Sequence, residues 1–375
     1  MDGRTLPRRD RTLPRRDRNV KPERGWTVGA PPSVGPPDVT QRSGSASTIM
    51  AAMTRFPGVS FRPARDADVE RTYEVFLEAS DDLSKRVGRP PRAGTGAPPR
   101  RALALRRSCV RHDPDRFWVA EADDRVIGFA IAILRDDVWH LAALHVVPEY
   151  QGGGIGTELT RRSLAGTGPA TALTVITDAV NPISNALYMR AGMLFQDAML
   201  TFDAPMPASG DAGEALAAAP DDPHEPSAAG GRTLERRPID LAADQHLLAS
   251  IDLSTIGFAR PMDHELWASI EGLRGMLLER DRVTVGYAYA SADGAIGPLA
   301  VHDPSDLPAA LTAAAAAAAE AGAVSIHVRI PGSARLAASW LVARGARLSS
   351  IGLFLASRPV GRLDRYVTSG GDAFY

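Results

Sequence analysis

The apolar positions of this chain switch between a period of two and a period near 3.6, and the order of the switches predicts its elements. Val59-Ser-Phe-Arg-Pro-Ala reads as a short strand, and Asp66 caps a helix running to Phe76 with acidic residues in its first turn. Arg116–Glu121 and Val126–Ala132 form a hairpin across 122–125, and Trp139–Val147 is a further strand. Helical spacing returns over Thr157–Leu164, strand character over Leu173–Thr177, and a helix opens after Asn181 with Pro182 in its first position. Gly192 closes that helix, and Leu194–Phe202 is the last strand of the set. This alternation predicts an α/β (α+β) domain, a mixed and mostly antiparallel sheet flanked by helices.

The plan then recurs in weaker form. Between Ala204 and Arg232 proline and glycine dominate, which is the composition of a solvated connector. Beyond it, Val283–Ala290 parallels Val126–Ala132, Gly297–Val301 parallels the end of the Trp139 strand, and an alanine-rich helix runs to Glu320. The strand Val324–Ile330 and the segment Ala334–Gly345 then take the places of Leu173–Thr177 and Asn181–Gly192. The expected division is a disordered extension at 1–52, a first domain at 53–205, a linker at 206–232 and a degenerate copy at 233–375. In the extension, Arg4–Asp10 repeats as Arg11–Asp17 and is followed by Pro, Gly, Ser and charge, which cannot bury a core. Met50 and Met53 stand just before the first strand, and the residues ahead of them read as upstream DNA translated from a misassigned start.

Composition narrows the partners. The 375 residues are 44% hydrophobic with a formal charge of −1, which argues against general nucleic-acid binding. One cysteine, Cys109, excludes an intramolecular disulfide and a thiolate metal cluster, and no metal is expected. No apolar run reaches membrane-spanning length, so no membrane partner is expected and the cytoplasm is the default address.

The densest chemistry lies at Val146–Gly156, Val-Val-Pro-Glu-Tyr-Gln-Gly-Gly-Gly-Ile-Gly, where a strand meets a helix through glycines. Helix N-termini present unpaired N–H groups to anions, and glycine lets a phosphate approach the backbone. The run lacks the Lys-Ser/Thr pair of a P-loop and the Gly-x-Gly-x-x-Gly spacing of a dinucleotide site. What remains is Gln/Arg-x-x-Gly-x-Gly/Ala, met by Gln151, Gly154 and Gly156. Downstream stands Asn181-Pro-Ile-Ser184-Asn-Ala-Leu187-Tyr188-Met-Arg-Ala-Gly192-Met193. Together these segments resemble the coenzyme A site of the GNAT superfamily of N-acetyltransferases, with Met193 departing from the family's Phe.

The resemblance implies acetyl-CoA as cosubstrate and direct transfer of the acetyl group to a primary amine within a ternary complex. It places the pantetheine against Leu144 and Val146 and the diphosphate on Gln151, Gly152, Gly153, Gly154, Ile155 and Gly156, with Asn181 and Ser184 also at the cofactor. Tyr188 becomes the general acid, since a phenol is protonated at neutral pH. His140 is the first candidate for general base, an imidazole titrating near neutral pH. His145 stays open beside it because a bulge in the strand resets which side chains face the cleft, and Asp136 and Asp137 are further candidates. The acceptor, a small-molecule or peptide amine, is expected on the variable segment 78–107, whose Arg86, Arg89, Arg92 and Arg100 would favour an anionic group. In the second copy no glycine lies between Val301 and Gly322, and Ala334, Ala337 and Leu341 replace Asn181, Ser184 and Tyr188, so that half is expected to have lost the cofactor. A non-catalytic acetyl-CoA sensor, a mycothiol-synthase-like enzyme, a protein N-acetyltransferase and a homodimer remain open.

Overall fold

The computed structural model describes residues 56–90, 100–206 and 233–369. The expectations for residues 1–52 and for nearly all of the 206–232 linker therefore lie outside the described residues, as does Arg92.

The first half runs β1 (Val59–Pro63), α1 (Val69–Arg86), α2 (Arg100–His112), β2 (Phe117–Ala122), β3 (Arg125–Arg135), β4 (Val138–Val146), α3 (Ile155–Ser163), β5 (Ala172–Asp178), α4 (Pro182–Arg190) and β6 (Leu194–Pro205). Local chemistry explains the joints. Asp123 and Asp124 both take positive φ in the β2–β3 turn, as a tight hairpin requires. Asn181 caps α4 by accepting from the Ser184 amide, and Gly192 leaves the helix at φ 86°. The second half repeats the series: β7 (Glu235–Pro238), α5 (Leu241–Thr255), α6 (Pro261–Ser269), β8 (Leu273–Arg280), β9 (Val283–Ser291), β10 (Ala295–Val301), α7 (Leu307–Glu320), β11 (Ser325–Pro331), α8 (Arg335–Ala343) and β12 (Arg347–Ala356), with a final two-residue strand β13 (Tyr366–Val367).

All thirteen strands belong to one sheet, whose path is β1-β2-β3-β4-β5-β12-β6-β11-β10-β9-β8-β7. Read from either end the order is the same when each strand is replaced by its counterpart in the other half, with β6 and β12 having changed places between the halves. Each half has given its last strand to the other: β12 pairs antiparallel with β5, and β6 pairs antiparallel with β11. The two exchanged strands pair with one another at the centre, from Arg347 opposite Asp203 to Ala356 opposite Leu194. Neither half completes its sheet alone.

Packing follows the same exchange, since one core cluster joins Phe129 and Trp139 of the first half to Trp267, Tyr287 and Tyr289 of the second. Beside it lies a buried ion triad. Arg135 of β3 bonds Asp113 at 3.1 Å and Asp263 of α6 at 2.8 Å, with all three side chains 5% exposed or less. Removing the cation leaves two carboxylates in low dielectric, which is far worse than an unmade surface pair. Arg135→Ala is therefore expected to lower unfolding stability by about 3–5 kcal/mol, measured by urea denaturation, whereas Arg100→Ala, at an exposed pair with Glu271, is expected to change it by less than about 1 kcal/mol.

Candidate functional site

One extra residue in β4 creates the principal cleft. Against β3, Ile131 pairs with Ala143 and Ala132 with Leu141, so Ala142 is a bulge with no partner of its own. Parallel pairing of β4 with β5 covers only Val138–Leu141 against Ala172–Val175. Past that point β5 keeps its other neighbour, pairing Thr177 and Asp178 with β12, and no described strand pairs with the β5-facing edge of Ala142–Val146. The wedge between them opens a cleft of about 730 Å³, into which Leu144, Val146, Gln151, Gly152, Gly154 and Gly156 all face.

At its mouth the glycine loop has the conformation the sequence requires. Gly152 and Gly154 sit at φ 81° and 90°, a region that L side chains avoid, and α3 starts at the next residue. A Cβ at Gly152 or Gly153 would meet nothing within 4 Å, so the space in front of the loop is clear. The first bond of the helix runs from the Glu158 amide to Gly154, leaving the amides of Ile155, Gly156 and Thr157 as the outward donors of the first turn. Ile155 itself is buried, so only its backbone serves this site. Gln151 donates through Nε2 to the Val146 carbonyl at 2.8 Å and receives Arg86 at 3.4 Å, which makes its side chain a brace for the loop.

Asn181, Ser184 and Tyr188 come together on α4. Asn181 Nδ2 donates to Ser184 Oγ at 2.9 Å, and the Ser184 hydroxyl bonds the Tyr188 phenol. Burial raises that phenol to about 12, with the Ser184 bond pulling the other way, so it is protonated across the physiological range. All three line the cleft.

His140 does not. Its ring is buried, with Nδ1 3.0 Å from Thr174 Oγ1, inside the stretch where β4 and β5 are still paired, and burial lowers its imidazole to about 3. The expectation that His140 is the base is corrected for this reason: the splay begins beyond it. Register gives the related result that Ile131 and Ile133 pair with Ala143 and His140, so the bulge puts His140 and His145 on one face although they are five residues apart. His145 is the one that reaches the cleft, edge-on to Phe76 of α1. Asp136 accepts from the Ala259 amide and Asp137 pairs with Arg358, both at the hairpin tip away from the cleft. The acceptor segment contributes Arg86 and Arg89, the latter paired with Asp178 at 2.7 Å, while Arg100 pairs with Glu271 elsewhere. Sequence reasoning missed the part supplied by the second half: Arg329, Ser350 and Gly352 line the same cleft, reached through the strand exchange.

The second half has the corresponding opening and closes it. β10 shifts register against β9 between Ile296 and Leu299, and pairs with β11 only at Ala295 and Ile296. Into the gap comes the chain's own tail, with Val367 opposite Leu299, Tyr366 opposite Ala300 and Thr368 opposite Arg329. A Cβ at Gly297 would lie 2.0 Å from the Thr368 carbonyl, which measures how completely the space is taken. Helix α7 begins Leu307-Pro308 with no glycine loop, and Ala334, Ala337 and Leu341 are buried core.

Among the described residues there is no helix long and apolar enough to cross a membrane, and no group of three or more His, Cys, Asp or Glu side chains arranged to hold a metal. Residues 84–193 match the model of the acetyltransferase (GNAT) family. No curated protein matches the chain by sequence. Among solved structures, a presumed acetyltransferase from Pyrococcus horikoshii is 18% identical with a TM-score of 0.60, over 85% of this chain and 97% of that one. A GCN5-related N-acetyltransferase from Sphaerobacter thermophilus is 14% identical with a TM-score of 0.53, over 83% and 99%. A tandem GNAT protein from the clavulanic acid biosynthesis pathway is 15% identical with a TM-score of 0.51, over 80% and 99%. Residues 84–193 thus match the acetyltransferase (GNAT) family, and the described chain shares the fold of these structures, a tandem GNAT protein among them.

Proposed function

We propose that the first half is an acetyl-CoA-dependent N-acetyltransferase acting by direct attack of a primary amine, and that the second half, its opening filled by residues 366–369, is non-catalytic. The observation that carries this reading is the conjunction at one cleft of the splayed β4 edge, the open glycine loop and a protonated Tyr188.

The residues present fit such a cosubstrate: the loop offers backbone donors with clear space before them, Arg86 stands beside it, and the cleft leads from there to the splayed strand. Acetyl-CoA supplies the activated acyl group as a thioester. The chain's own contribution is electrostatic and positional. Amides of the first turn of α3 hold the diphosphate, aided by the helix dipole. Main-chain groups of Leu144 and Val146 hold the pantetheine amides, and a β4 amide past the bulge donates to developing negative charge on the carbonyl oxygen. Tyr188 carries the proton for the departing sulfur, oriented by the Asn181–Ser184 chain. His145, edge-on to Phe76 of α1 in the cleft lining, accepts the proton of the incoming amine directly or through one water.

Three outcomes test these roles in a thiol-release assay paired with calorimetry. Tyr188→Phe is expected to lower kcat by about 10²-fold or more with the acetyl-CoA Kd unchanged, as befits proton transfer in the transition state; unchanged turnover removes Tyr188 as the acid. Gly154→Val forces a β-branched residue to φ 90° and narrows the loop, so the Kd for acetyl-CoA is expected to rise more than about tenfold. The pH profile separates the histidines. His145→Gln is expected to remove the acidic limb of kcat/KM and His140→Asn to retain it. Because the folded-state His140 value lies far below the ordinary 6.5, the unfolded chain binds the extra proton first. Its contribution to stability is complete above pH 6.5 and is lost as pH falls toward about 3, so His140→Asn is expected to flatten that part of the stability curve.

A further inference from the structure

We propose that the second half, whose wedge is filled, carries a ligand site of its own: the cavity between α5 and α6 takes a small ammonium on an apolar body, with the charge at Glu265 and the body against Leu248, Ala249 and Pro261. This site is separate from the acetyl-transfer cleft and does not depend on that reading.

Three apolar positions of the first half turn polar in the second. Each half has an arginine–aspartate pair at the start of its first long helix, Arg62 with Asp68 and Arg237 with Asp244, and eight residues after the aspartate stand Phe76 and Asp252 respectively. Gly128 pairs with Val146 as Gly286 pairs with Val301, so Phe129 and Ile131 correspond to Tyr287 and Tyr289. The polar replacements meet. Asp252 accepts from the Tyr287 phenol at 2.6 Å and from Arg260 Nε at 3.2 Å, while His264 has Nε2 2.9 Å from Asp252 and Nδ1 2.9 Å from the Tyr289 hydroxyl. Arg260 Nη1 also donates to Tyr366 at 2.9 Å, and all six residues are 2% exposed or less. Apolar side chains often fill such a core equally well. What the network adds is a cross-link of α5, the start of α6, β9 and β13, which fixes the two helices over the sheet.

Against this network lies a cavity of about 340 Å³, lined by Gln245, Leu248 and Asp252 at helical spacing on α5 and by Pro261, His264 and Glu265 on α6. Small-ligand pockets begin at about 300 Å³ and are mostly apolar with a few placed polar groups. Burial sorts this lining by depth. Asp252, Arg260 and His264 form the inner end, already bonded to one another; Leu248, Ala249 and Pro261 are apolar wall; Gln245 and Glu265 are exposed at the mouth. Asp252 and Arg260 pair as opposite charges. The remaining ion of the lining, Glu265, forms no ion pair with any described residue, and the Gln245 amide beside it forms no side-chain hydrogen bond with one. A carboxylate at the mouth of an apolar pocket favours a cation whose hydrocarbon part enters, since burial supplies the affinity and the ion pair sets the orientation. An anion of the same shape would be repelled.

N,N-dimethylalkylamines from propyl to heptyl, cationic at neutral pH and, as tertiary amines, unable to become acetylated products, test this in the full chain by isothermal titration calorimetry. Affinity is expected to rise by up to about fourfold per methylene until the cavity is full, to exceed that of the matched alkyl methyl ether by about threefold or more, and to be unchanged by saturating acetyl-CoA. Glu265→Gln is expected to weaken the amine by about threefold or more and to leave the ether unchanged. Ala249→Phe, which fills the cavity, is expected to abolish binding of both. Thermal melting checks that each variant folds, and Glu265→Gln, at an exposed position, carries the test by itself where Ala249→Phe does not fold. No binding across the series, equal binding of amine and ether, displacement by acetyl-CoA, or binding that Glu265→Gln leaves unchanged overturns the inference.

Discussion

Pairing between β4 and β5 stops at Leu141, and the first half's cleft depends on that interruption. A parallel pair running on to Val146 would consume the main-chain groups of β4 in ladder bonds and leave no wedge between the strands. The extra residue at Ala142 prevents this by bending β4 toward β3 while β5 remains tied to β12. Everything else converges on the opening so made: the first loop glycine, Gly152, follows Val146 by six residues, α4 brings Tyr188 to its side, and His145 lies past the bulge in the open stretch while His140 stays under the paired one. Such a cleft needs a fixed far wall, and here the wall comes from the other half of the molecule.

The strand exchange explains why a half without a glycine loop is retained in the structure. β12 borders the cleft along its length and carries Gly352, where a Cβ would stand only 3.0 Å from the Thr177 carbonyl, so the two strands approach closely. β11 adds Arg329 to the lining of the cleft. The second half thus acts on the first as structure. Its own wedge between β10 and β11 is occupied by Tyr366 and Val367, both fully buried, which replaces an open polar crevice with packed side chains and ladder bonds.

Much of this was legible in the sequence, for identifiable reasons. Short-range signals carried the glycine loop, the Asn181 cap, the Gly192 stop and the hairpin at Asp123-Asp124, because each depends on a few adjacent residues adopting a particular φ or bond. The internal repeat was legible because Val283–Ala290 and Ala334–Gly345 preserve the periodicity of their counterparts. The exchange of β6 and β12 was not, since alternation in a strand says which face is buried and nothing about which neighbour it pairs with. Arg329 was invisible for the same reason: it stands more than 120 positions from Thr201, and only the pairing joins them. His140 was put at the cleft because nothing in the sequence marks where β4 and β5 stop pairing, which is only after Leu141, while the short β13 lacks the length to read as a strand at all.

The account's asymmetry, an open wedge in one half and a filled wedge in the other, is most directly measured by the stoichiometry of acetyl-CoA binding to the full chain in isothermal titration calorimetry. It predicts one coenzyme per chain, with the site intact when Leu299 and Ala300 opposite the tail are substituted. Two equivalents per chain, or none, would contradict it.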